Sequence, residues 1–126
     1  MTTGKSHILI IEDNEDIMTM LTAMLEMKGY KVSTNLNYFE IESSIKELDP
    51  DAILMDMLLS GVDGREICKL LKGHHDGLAK IPVIMISAHP NAEKECLEAG
   101  ADYFLEKPFE MDVFFKVIDK AFQKAN

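Results

Sequence analysis

The sequence predicts an α/β fold that is doubly wound around a five-stranded parallel sheet with helices on both faces. Short runs of β-branched and aliphatic residues, typical of strands buried on both faces, alternate five times with amphipathic helical segments. The connections between them are short, which favours right-handed crossovers and parallel strands. With 126 residues, 47% of them hydrophobic, the chain is large enough for one domain with its own core.

The expected strands are residues 7–12, 30–34, 52–56, 82–87 and 102–106. The expected helices, in which apolar residues recur at helical spacing, are residues 15–28, 39–48, 65–72, 91–99 and 110–124. Gly29, Pro50 and Gly100 follow three of these helices and supply the breaks that end them. We expect the segments 58–64 and 73–80 to be loops.

We expect a disordered tail at residues 1–6 and one domain at residues 7–126.

Composition and charge exclude several functions. No apolar stretch is long enough to cross a membrane and the tail lacks the apolar segment of a signal peptide, so a cytoplasmic location without membrane contact is expected. The net charge of −9 argues against direct nucleic-acid binding. Cys68 and Cys96 lack the CxxC spacing and are expected to be reduced thiols.

Five polar residues at the ends of the apolar runs give the strongest functional signal. Glu12 and Asp13 follow the first strand, and Asp56 closes the third. Ser87 closes the fourth strand, and Lys107 follows the fifth. The carboxyl ends of parallel strands lie along one edge of a sheet, where open α/β folds place their binding sites. We therefore expect three carboxylates, one hydroxyl and one ammonium to converge there.

This set of groups has the parts that phosphoryl transfer onto an aspartate requires. Clustered carboxylates repel one another unless a cation compensates them, and Mg²⁺ prefers a few carboxylate oxygens together with waters and a phosphate. Lys107 would neutralise charge on the transferred group, and Ser87 offers a hydroxyl donor. Taken singly, Asp13 or Ser87 could cap a helix and Lys107 could be a solvated strand end. Because all five residues occur together at strand ends, a shared phosphoryl-transfer site is favoured over these separate structural roles.

Four segments resemble the CheY-like receiver domain of response regulators in two-component phosphorelay signalling, and the resemblance covers residues 7–124. The matching segments are Ile-Glu-Asp at 11–13, Leu-Met-Asp-Met-Leu-Leu-Ser-Gly-Val-Asp-Gly at 54–64, Met-Ile-Ser-Ala-His at 85–89 and Glu-Ala-Gly-Ala-Asp-Tyr-Phe-Leu-Glu-Lys-Pro-Phe at 98–109. The resemblance implies a flavodoxin-like (βα)5 fold. It also implies a signalling switch that is no enzyme beyond assisting its own phosphorylation and dephosphorylation.

The resemblance assigns a phosphoacceptor and a metal site. Asp56 would accept a phosphoryl group from the phosphohistidine of a sensor histidine kinase or a histidine phosphotransfer protein. Mg²⁺ would be bound by Asp13, by Asp56 and by the backbone carbonyl of Leu58, with Glu12 assisting through water.

The resemblance also implies how the switch works. Ser87, the Ala88 amide and Lys107 would contact the phosphoryl oxygens. The new dianion would draw Ser87 inward, and Phe104 would enter the vacated space. The face built by the fourth helix, the fifth strand and the fifth helix would then change for a downstream protein, an output domain or a second copy of the chain. The peptide before Pro108 is expected to be cis.

The sequence departs from the family pattern at several positions. Ser60 stands where the family usually carries Pro, which would loosen the Leu58 carbonyl. Phe104 lacks the hydroxyl of a Tyr. The span 87–107 is shorter than usual, so we expect the fourth helix to be short or displaced. His89 is either an exposed loop residue or, together with Leu58, a group that tunes the lifetime of the phosphoryl group.

Two helices carry apolar residues with possible roles at surfaces. Met18 and Met27 are expected to lie outside the core stripe of the first helix, where a flexible thioether suits a docking surface. In the last helix we expect Val113 to face the core and Phe115 and Phe122 to lie at its edges, available to a partner or a second copy.

Three other functions fit parts of the pattern. A phosphatase with an aspartate nucleophile would carry an acid/base Asp two residues later, where this chain has Leu58. A flavin-binding electron carrier would need a phosphate-binding loop after the first strand, where this chain has Asn14-Glu15-Asp16. A receiver-like module that binds partners independently of phosphorylation stays open because of the short fourth helix.

Overall fold

A computed structural model of the protein describes residues 6–35, 41–59, 61–73, 78–89 and 91–125. Its strands are β1 (His7–Ile11), β2 (Lys31–Asn35), β3 (Ala52–Asp56), β4 (Leu58–Leu59), β5 (Val62–Asp63), β6 (Val83–Ser87) and β7 (Tyr103–Glu106). Its helices are α1 (Glu15–Met27), α2 (Ile41–Leu48), α3 (Gly64–Lys72), α4 (Ala92–Glu98) and α5 (Met111–Ala125), with a 3-10 turn at Leu78–Lys80. Most of the predicted tail, the predicted first residues of the second helix and Ser60 lie outside the described residues.

Five of the strands form one parallel sheet in the order β2-β1-β3-β6-β7. The strand order reverses between β1 and β3, so a crevice opens at the carboxyl ends of these two strands, where open α/β sheets bind ligands. All residues of β1, β3 and β6 are buried. The predicted doubly wound α/β fold is confirmed.

Helices cover both faces of the sheet. Side chains of successive strand residues point to opposite sides, so these apolar strands present a hydrophobic surface on each face. On one face, α1 and α5 pack against Ile8, Ile10 and their sheet neighbours, with Phe114 fully buried among them. On the other face, α2, α3 and α4 pack against Leu9, Ile11 and their neighbours. The free thiols of the two cysteines are both buried in this second cluster, as expected.

Local sequence signals explain where two of the helices begin. The Asn14 side chain accepts a hydrogen bond from the Ile17 amide at 3.0 Å and caps α1. The Asp63 side chain accepts from the Arg65 amide at 2.9 Å and caps α3. Asp13 is therefore not the cap of α1. Among the helices that the structure describes, none combines the length and the apolar character that a bilayer crossing requires.

The segment 58–64 was predicted to be a loop, but part of it forms a short hairpin. Leu58–Leu59 pairs with Val62–Asp63 as a two-residue antiparallel hairpin. Gly61 has a φ of +72°, which a glycine adopts without steric cost and which lets the chain reverse. The fourth helix has seven residues, in line with the short helix that was expected.

Two predictions about exposed and buried helix residues were wrong. Met18 is 9% exposed and belongs to the core, because the face that α1 turns to the sheet carries Met18 together with Leu21 and Leu25. Val113 is 44% exposed, because it lines an open groove beside β7 with Phe104. Phe115 and Phe122 are half-buried, as expected for edge positions.

Candidate functional site

Four of the predicted site residues lie at the carboxyl edge of the sheet, and three of them are buried there. Glu12 directly follows β1, and Asp56 and Ser87 end the neighbouring strands β3 and β6. Their exposed fractions are only 2%, 9% and 2%. Lys107 follows β7, and its backbone amide donates to the Ser87 carbonyl at 2.8 Å, which extends the β6–β7 pairing by one residue. The strand ends thus hold these side chains close together, as the sequence predicted.

Lys107 connects two carboxylates from different strands. Its Nζ atom lies 2.8 Å from Asp56 Oδ2 and 3.4 Å from Glu12 Oε1. Burial alone would lower the pKa of Lys107, but the hydrogen bond and charge of Asp56, helped by Glu12, outweigh burial and raise it. The ammonium group is therefore charged at neutral pH.

Glu12 is an acid with a strongly raised pKa. Burial, together with the hydrogen bond and the negative charge of Asp56, raises the pKa of Glu12 to about 7. The Asn14 amide, which donates to Glu12 Oε2 at 3.2 Å, and the Lys107 ammonium both act in the opposite direction. Below about pH 7 Glu12 therefore keeps its proton, which limits the negative charge beside Asp56.

The backbone after Asp56 is tightly braced. The Leu58 amide donates to Asp56 Oδ1 at 3.0 Å, and the Met57 amide donates to the Ile86 carbonyl at 2.8 Å. The Gly64 amide donates to the Met57 carbonyl at 2.7 Å, and a Cβ at this glycine would lie only 2.5 Å from the Asp56 carbonyl oxygen. The first turn of α3 therefore packs directly on the backbone of Asp56 and Met57.

The loop after β6 supplies polar groups on the other side of Asp56. Ser87 Oγ accepts a hydrogen bond from the His89 amide at 2.9 Å, and Ala88 is exposed beside it. Ser87 does not cap α4, because Asn91 precedes that helix. Phe104 lies on β7 opposite Met85 and is half-buried against the core.

The remaining predicted residues lie around this centre. Asp13 is half-buried between Glu12 and the cap of α1. Leu58 is 60% exposed, two residues after Asp56. The peptide between Lys107 and Pro108 is cis, as the resemblance implied.

The donor set of the site suits a hard divalent cation. Within the described residues, no three His, Cys, Asp or Glu side chains are arranged as a ready-made metal cage. Mg²⁺ does not require such a cage, because it keeps several waters and uses one or two carboxylates with further oxygens. Glu12 and Asp56 both face the Lys107 Nζ atom, at 3.4 and 2.8 Å, so their oxygens lie close enough together to serve one cation. The residues present therefore fit Mg²⁺.

One feature next to the site was missed from the sequence. An exposed apolar groove lies beside Lys107, and its lining residues are Ile17, Met20, Ala88, Lys107, Pro108 and Phe109. Met20 is 46% exposed and faces this groove. The signal available in the sequence was the i, i+3 spacing of Ile17 and Met20 on α1 combined with the position of α1 next to the carboxyl edge.

A family model and curated proteins both match this chain. Residues 8–119 match the response regulator receiver domain. The DNA-binding dual master transcriptional regulator RpaA of Synechocystis sp. is 34% identical over 108 residues, which are 84% of this chain and 44% of that protein. The chain spans about half the length of the curated relatives it matches.

Two solved structures share the fold. One, from Chloroflexus aurantiacus and described as a response regulator, has a TM-score of 0.88 and 30% identity, over 94% of this chain and 98% of that one. The other is the receiver domain of a sensor histidine kinase from Pseudomonas aeruginosa, with a magnesium ion in its active-site cleft. It has a TM-score of 0.85 and 28% identity, over 95% and 99% of the two chains. Because the family match extends over most of its residues, the chain belongs to the response regulator receiver domains of two-component signalling.

Proposed function

We propose that this receiver domain is a phosphorylation switch in which Asp56 accepts a phosphoryl group from a phosphohistidine. In this step an Asp56 oxygen attacks phosphorus and the P–N bond breaks. The electron pair of that bond stays on the imidazole nitrogen of the donor. The observation that carries the proposal is the buried Asp56 carboxylate, which ends β3 with Lys107 Nζ at 2.8 Å from its Oδ2 atom.

The metal site of this proposal consists of oxygen donors next to Asp56. Asp13, Asp56 and the Leu58 carbonyl would bind Mg²⁺ directly, and Glu12 would assist through water. When bound, Mg²⁺ would supply positive charge that screens the acids and stabilises the transferring group. Glu12, with its raised pKa, would lose its proton more readily once that positive charge is present.

The phosphoryl oxygens would be bound by three groups on the far side of Asp56. The Lys107 ammonium already contacts the acceptor carboxylate. The Ser87 hydroxyl and the Ala88 amide lie at the end of β6, the strand that pairs with β3. Turning Ser87 toward a phosphoryl group would give up its hydrogen bond with the His89 amide. That exchange would move the loop and open space for Phe104.

The output of the switch would be a changed surface on α4, β7 and α5. Phe104, Glu106 and Val113 line an open groove there. A downstream protein, an output domain in the same polypeptide or a second copy of the chain would recognise this groove differently in the two states. Since the domain would only assist its own phosphorylation and dephosphorylation, we class it as a cytoplasmic signalling switch and not as an enzyme acting on other substrates.

The phosphodonor would be a sensor histidine kinase or a histidine phosphotransfer protein, docked on the apolar groove of Ile17, Met20, Pro108 and Phe109. This groove is continuous with the site, because Lys107 and Ala88 are also among its lining residues. A donor helix that carries a phosphohistidine next to apolar side chains would place its phosphorus beside Asp56 while burying those side chains in the groove.

Intact-mass measurement tests the proposed function. Wild type and Asp56→Asn are each incubated with acetyl phosphate or phosphoramidate, with Mg²⁺ and with EDTA. We expect one phosphoryl adduct on wild type that requires Mg²⁺, and none on Asp56→Asn. Absence of an adduct on wild type under conditions where calorimetry detects Mg²⁺ binding would overturn the proposal and favour a module that binds partners independently of phosphorylation.

A further inference from the structure

Arg65 connects two acidic residues from different elements of the fold. Its Nε atom donates to both carboxylate oxygens of Asp63, at 3.0 and 3.1 Å, and its Nη2 atom lies 2.6 Å from Asp63 Oδ2. The remaining nitrogen, Nη1, donates to Glu95 Oε2 of α4. The planar guanidinium group is suited to such a fork, in which one side binds one carboxylate and the other side binds a second.

Asp63 in turn is linked to the metal-binding loop. Its backbone pairs with Leu58, whose carbonyl is a proposed Mg²⁺ ligand. The Asp63 side chain caps α3 by accepting from the Arg65 amide at 2.9 Å, and the guanidinium of Arg65 lowers the pKa of this carboxyl. Asp63 is thus anchored on one side to α3 and on the other to the strand that contains Leu58.

Glu95 brings α4 into the same network. This helix begins five residues after Ser87, and its Ala92 and Cys96 side chains pack in the core cluster beneath. Three contacts therefore connect α4 to the site. Glu95 forms an ion pair with Arg65, Arg65 forms a forked ion pair with Asp63, and Asp63 pairs with Leu58 through the backbone.

We propose that Arg65 is a positioning residue that couples the placement of α4 to the geometry of the metal-binding loop. This inference rests on the proposed function, because it takes the Leu58 carbonyl as a ligand of Mg²⁺. With Glu95 in place, Arg65 holds Asp63 and thereby the hairpin that presents this carbonyl. Because coupling between two sites is reciprocal, a partner that displaces α4 would change the Mg²⁺ affinity, and bound Mg²⁺ would bias α4 by the same factor.

The expected effect is modest because the network is at the surface. The side chains of Arg65, Asp63 and Glu95 are 30%, 34% and 57% exposed, so solvent screens both ion pairs. Forked geometry and the shared arginine make the network stronger than an isolated surface pair. We expect about a three- to five-fold loss of Mg²⁺ affinity when it is broken, at or just below the lower end of the range typical of coupling between sites.

Calorimetric titration with Mg²⁺ tests the inference. The variants are Glu95→Gln, Arg65→Gln and the double variant, and the matched control is Glu98→Gln. Glu98 lines the same groove on the same helix but has no ion pair with Arg65 among the described contacts. Both single variants should lose Mg²⁺ affinity, the double variant should lose no more than Arg65→Gln, and the control should match wild type. Non-additivity of this kind identifies a shared interaction rather than two local effects.

Hydrogen exchange of the segment 57–65 in metal-free protein gives a second readout. Exchange should be faster in Glu95→Gln than in Glu98→Gln, although neither substitution lies in that segment. Equal Mg²⁺ affinity and equal exchange in these two variants would overturn the inference, even if Arg65→Gln failed to fold. If wild type itself bound no Mg²⁺, the proposed function would be the part that fails.

Discussion

The Lys107 ammonium and the Asp56 carboxylate meet at 2.8 Å, although the residues are 51 positions apart in the sequence. The two side chains are 19% and 11% exposed, and the second acid beside them, Glu12, is 2% exposed. A cation that faces two buried acids keeps both from being left uncompensated. We conclude that Lys107 supports the metal-free fold as well as any later contact with phosphate.

Lys107→Met should therefore destabilise the protein. Removing one partner of a largely buried pair leaves its carboxylates uncompensated, and with a discount for partial exposure we expect a cost of about 1–3 kcal/mol in EDTA. Urea unfolding followed by circular dichroism measures this cost. Mg²⁺ should restore part of the lost stability, because it supplies the missing positive charge.

Lys72→Met is the matched control for this prediction. Lys72 also forms a partly buried ion pair, 2.7 Å from Asp102, and it donates to the Ala79 and Ile81 carbonyls away from the acidic site. Its substitution should cost stability without any recovery specific to Mg²⁺. Equal recovery in the two variants, or an unchanged midpoint in Lys107→Met, would contradict the prediction.

The stability of the metal-free protein should fall as the pH rises through the titration of Glu12. The pKa of Glu12 is raised from 4.5 to about 7, mainly by burial. The folded state therefore binds this proton more tightly than the unfolded chain does. The resulting stability is fully present below pH 4.5 and is lost as the pH approaches and passes about 7.

Glu12→Gln should remove this component of the pH dependence. We expect the difference in unfolding free energy between variant and wild type to change by about 1–3 kcal/mol across that window, measured in EDTA. Taking the difference between the two proteins removes the contributions that the other titrating groups make to the pH dependence of the unfolding free energy. A difference that stays constant with pH would show that Glu12 titrates in the folded protein as it does in the unfolded chain.

The sequence was sufficient to predict the parallel sheet and the gathering of the site residues at one edge. Both depend on simple regularities: buried strands need unbroken apolar runs, and parallel strands end on the same side. Glu12, Asp56 and Ser87 each lie within one residue of a strand end. A one-residue error in the predicted strand bounds would therefore still place all three at the carboxyl edge of the sheet.

The parts that could not be predicted depend on packing between elements distant in sequence. The burial of Met18 and the exposure of Val113 follow from the way α1 and α5 sit on the sheet, which helical periodicity alone does not determine. The hairpin after Asp56 depends on a two-residue pairing that is too short for a strand pattern. The link from Arg65 to Glu95 joins residues 30 positions apart, and no local signal marks it.

Gly64→Ala should destabilise the protein and disturb the backbone at the end of β3, where Asp56 lies. A Cβ at this position would lie 2.5 Å from the Asp56 carbonyl oxygen and 3.1 Å from that of Met57. Because both are backbone atoms of the braced loop, the clash can be relieved only by moving the loop or α3. We expect a cost of about 2–4 kcal/mol, at the upper end for single substitutions, in urea unfolding.

Gly73→Ala is the control for the same chemical change in α3. This glycine lies at the end of the helix with right-handed backbone angles, and an added Cβ would be 3.3 Å from the Lys69 carbonyl. It should alter stability by less than about 1 kcal/mol, because only a small adjustment is needed. Similar costs for the two variants would show that the contact of α3 with the Asp56 backbone is not the cause.

Met20→Glu should slow phosphotransfer from a histidine kinase while sparing phosphorylation by acetyl phosphate. Met20 is 46% exposed and lines the apolar groove next to Lys107, so a charge there would oppose burial by a docking helix. We expect at least about a ten-fold loss of transfer rate, equivalent to about 1.4 kcal/mol of docking energy. The rate is measured with a purified kinase that phosphorylates the wild-type protein.

The matched control for this substitution is Met27→Glu, on the same helix. Met27 is 80% exposed at the last residue of α1 and is not among the residues that line the groove. It introduces the same charge into the same helix, so a general effect of net charge on encounter with the kinase would slow both variants alike. Loss in Met20→Glu alone, with acetyl phosphate labelling intact in both, would locate donor docking at the groove. Equal loss in the two variants would instead identify a general charge effect and would contradict docking at the groove.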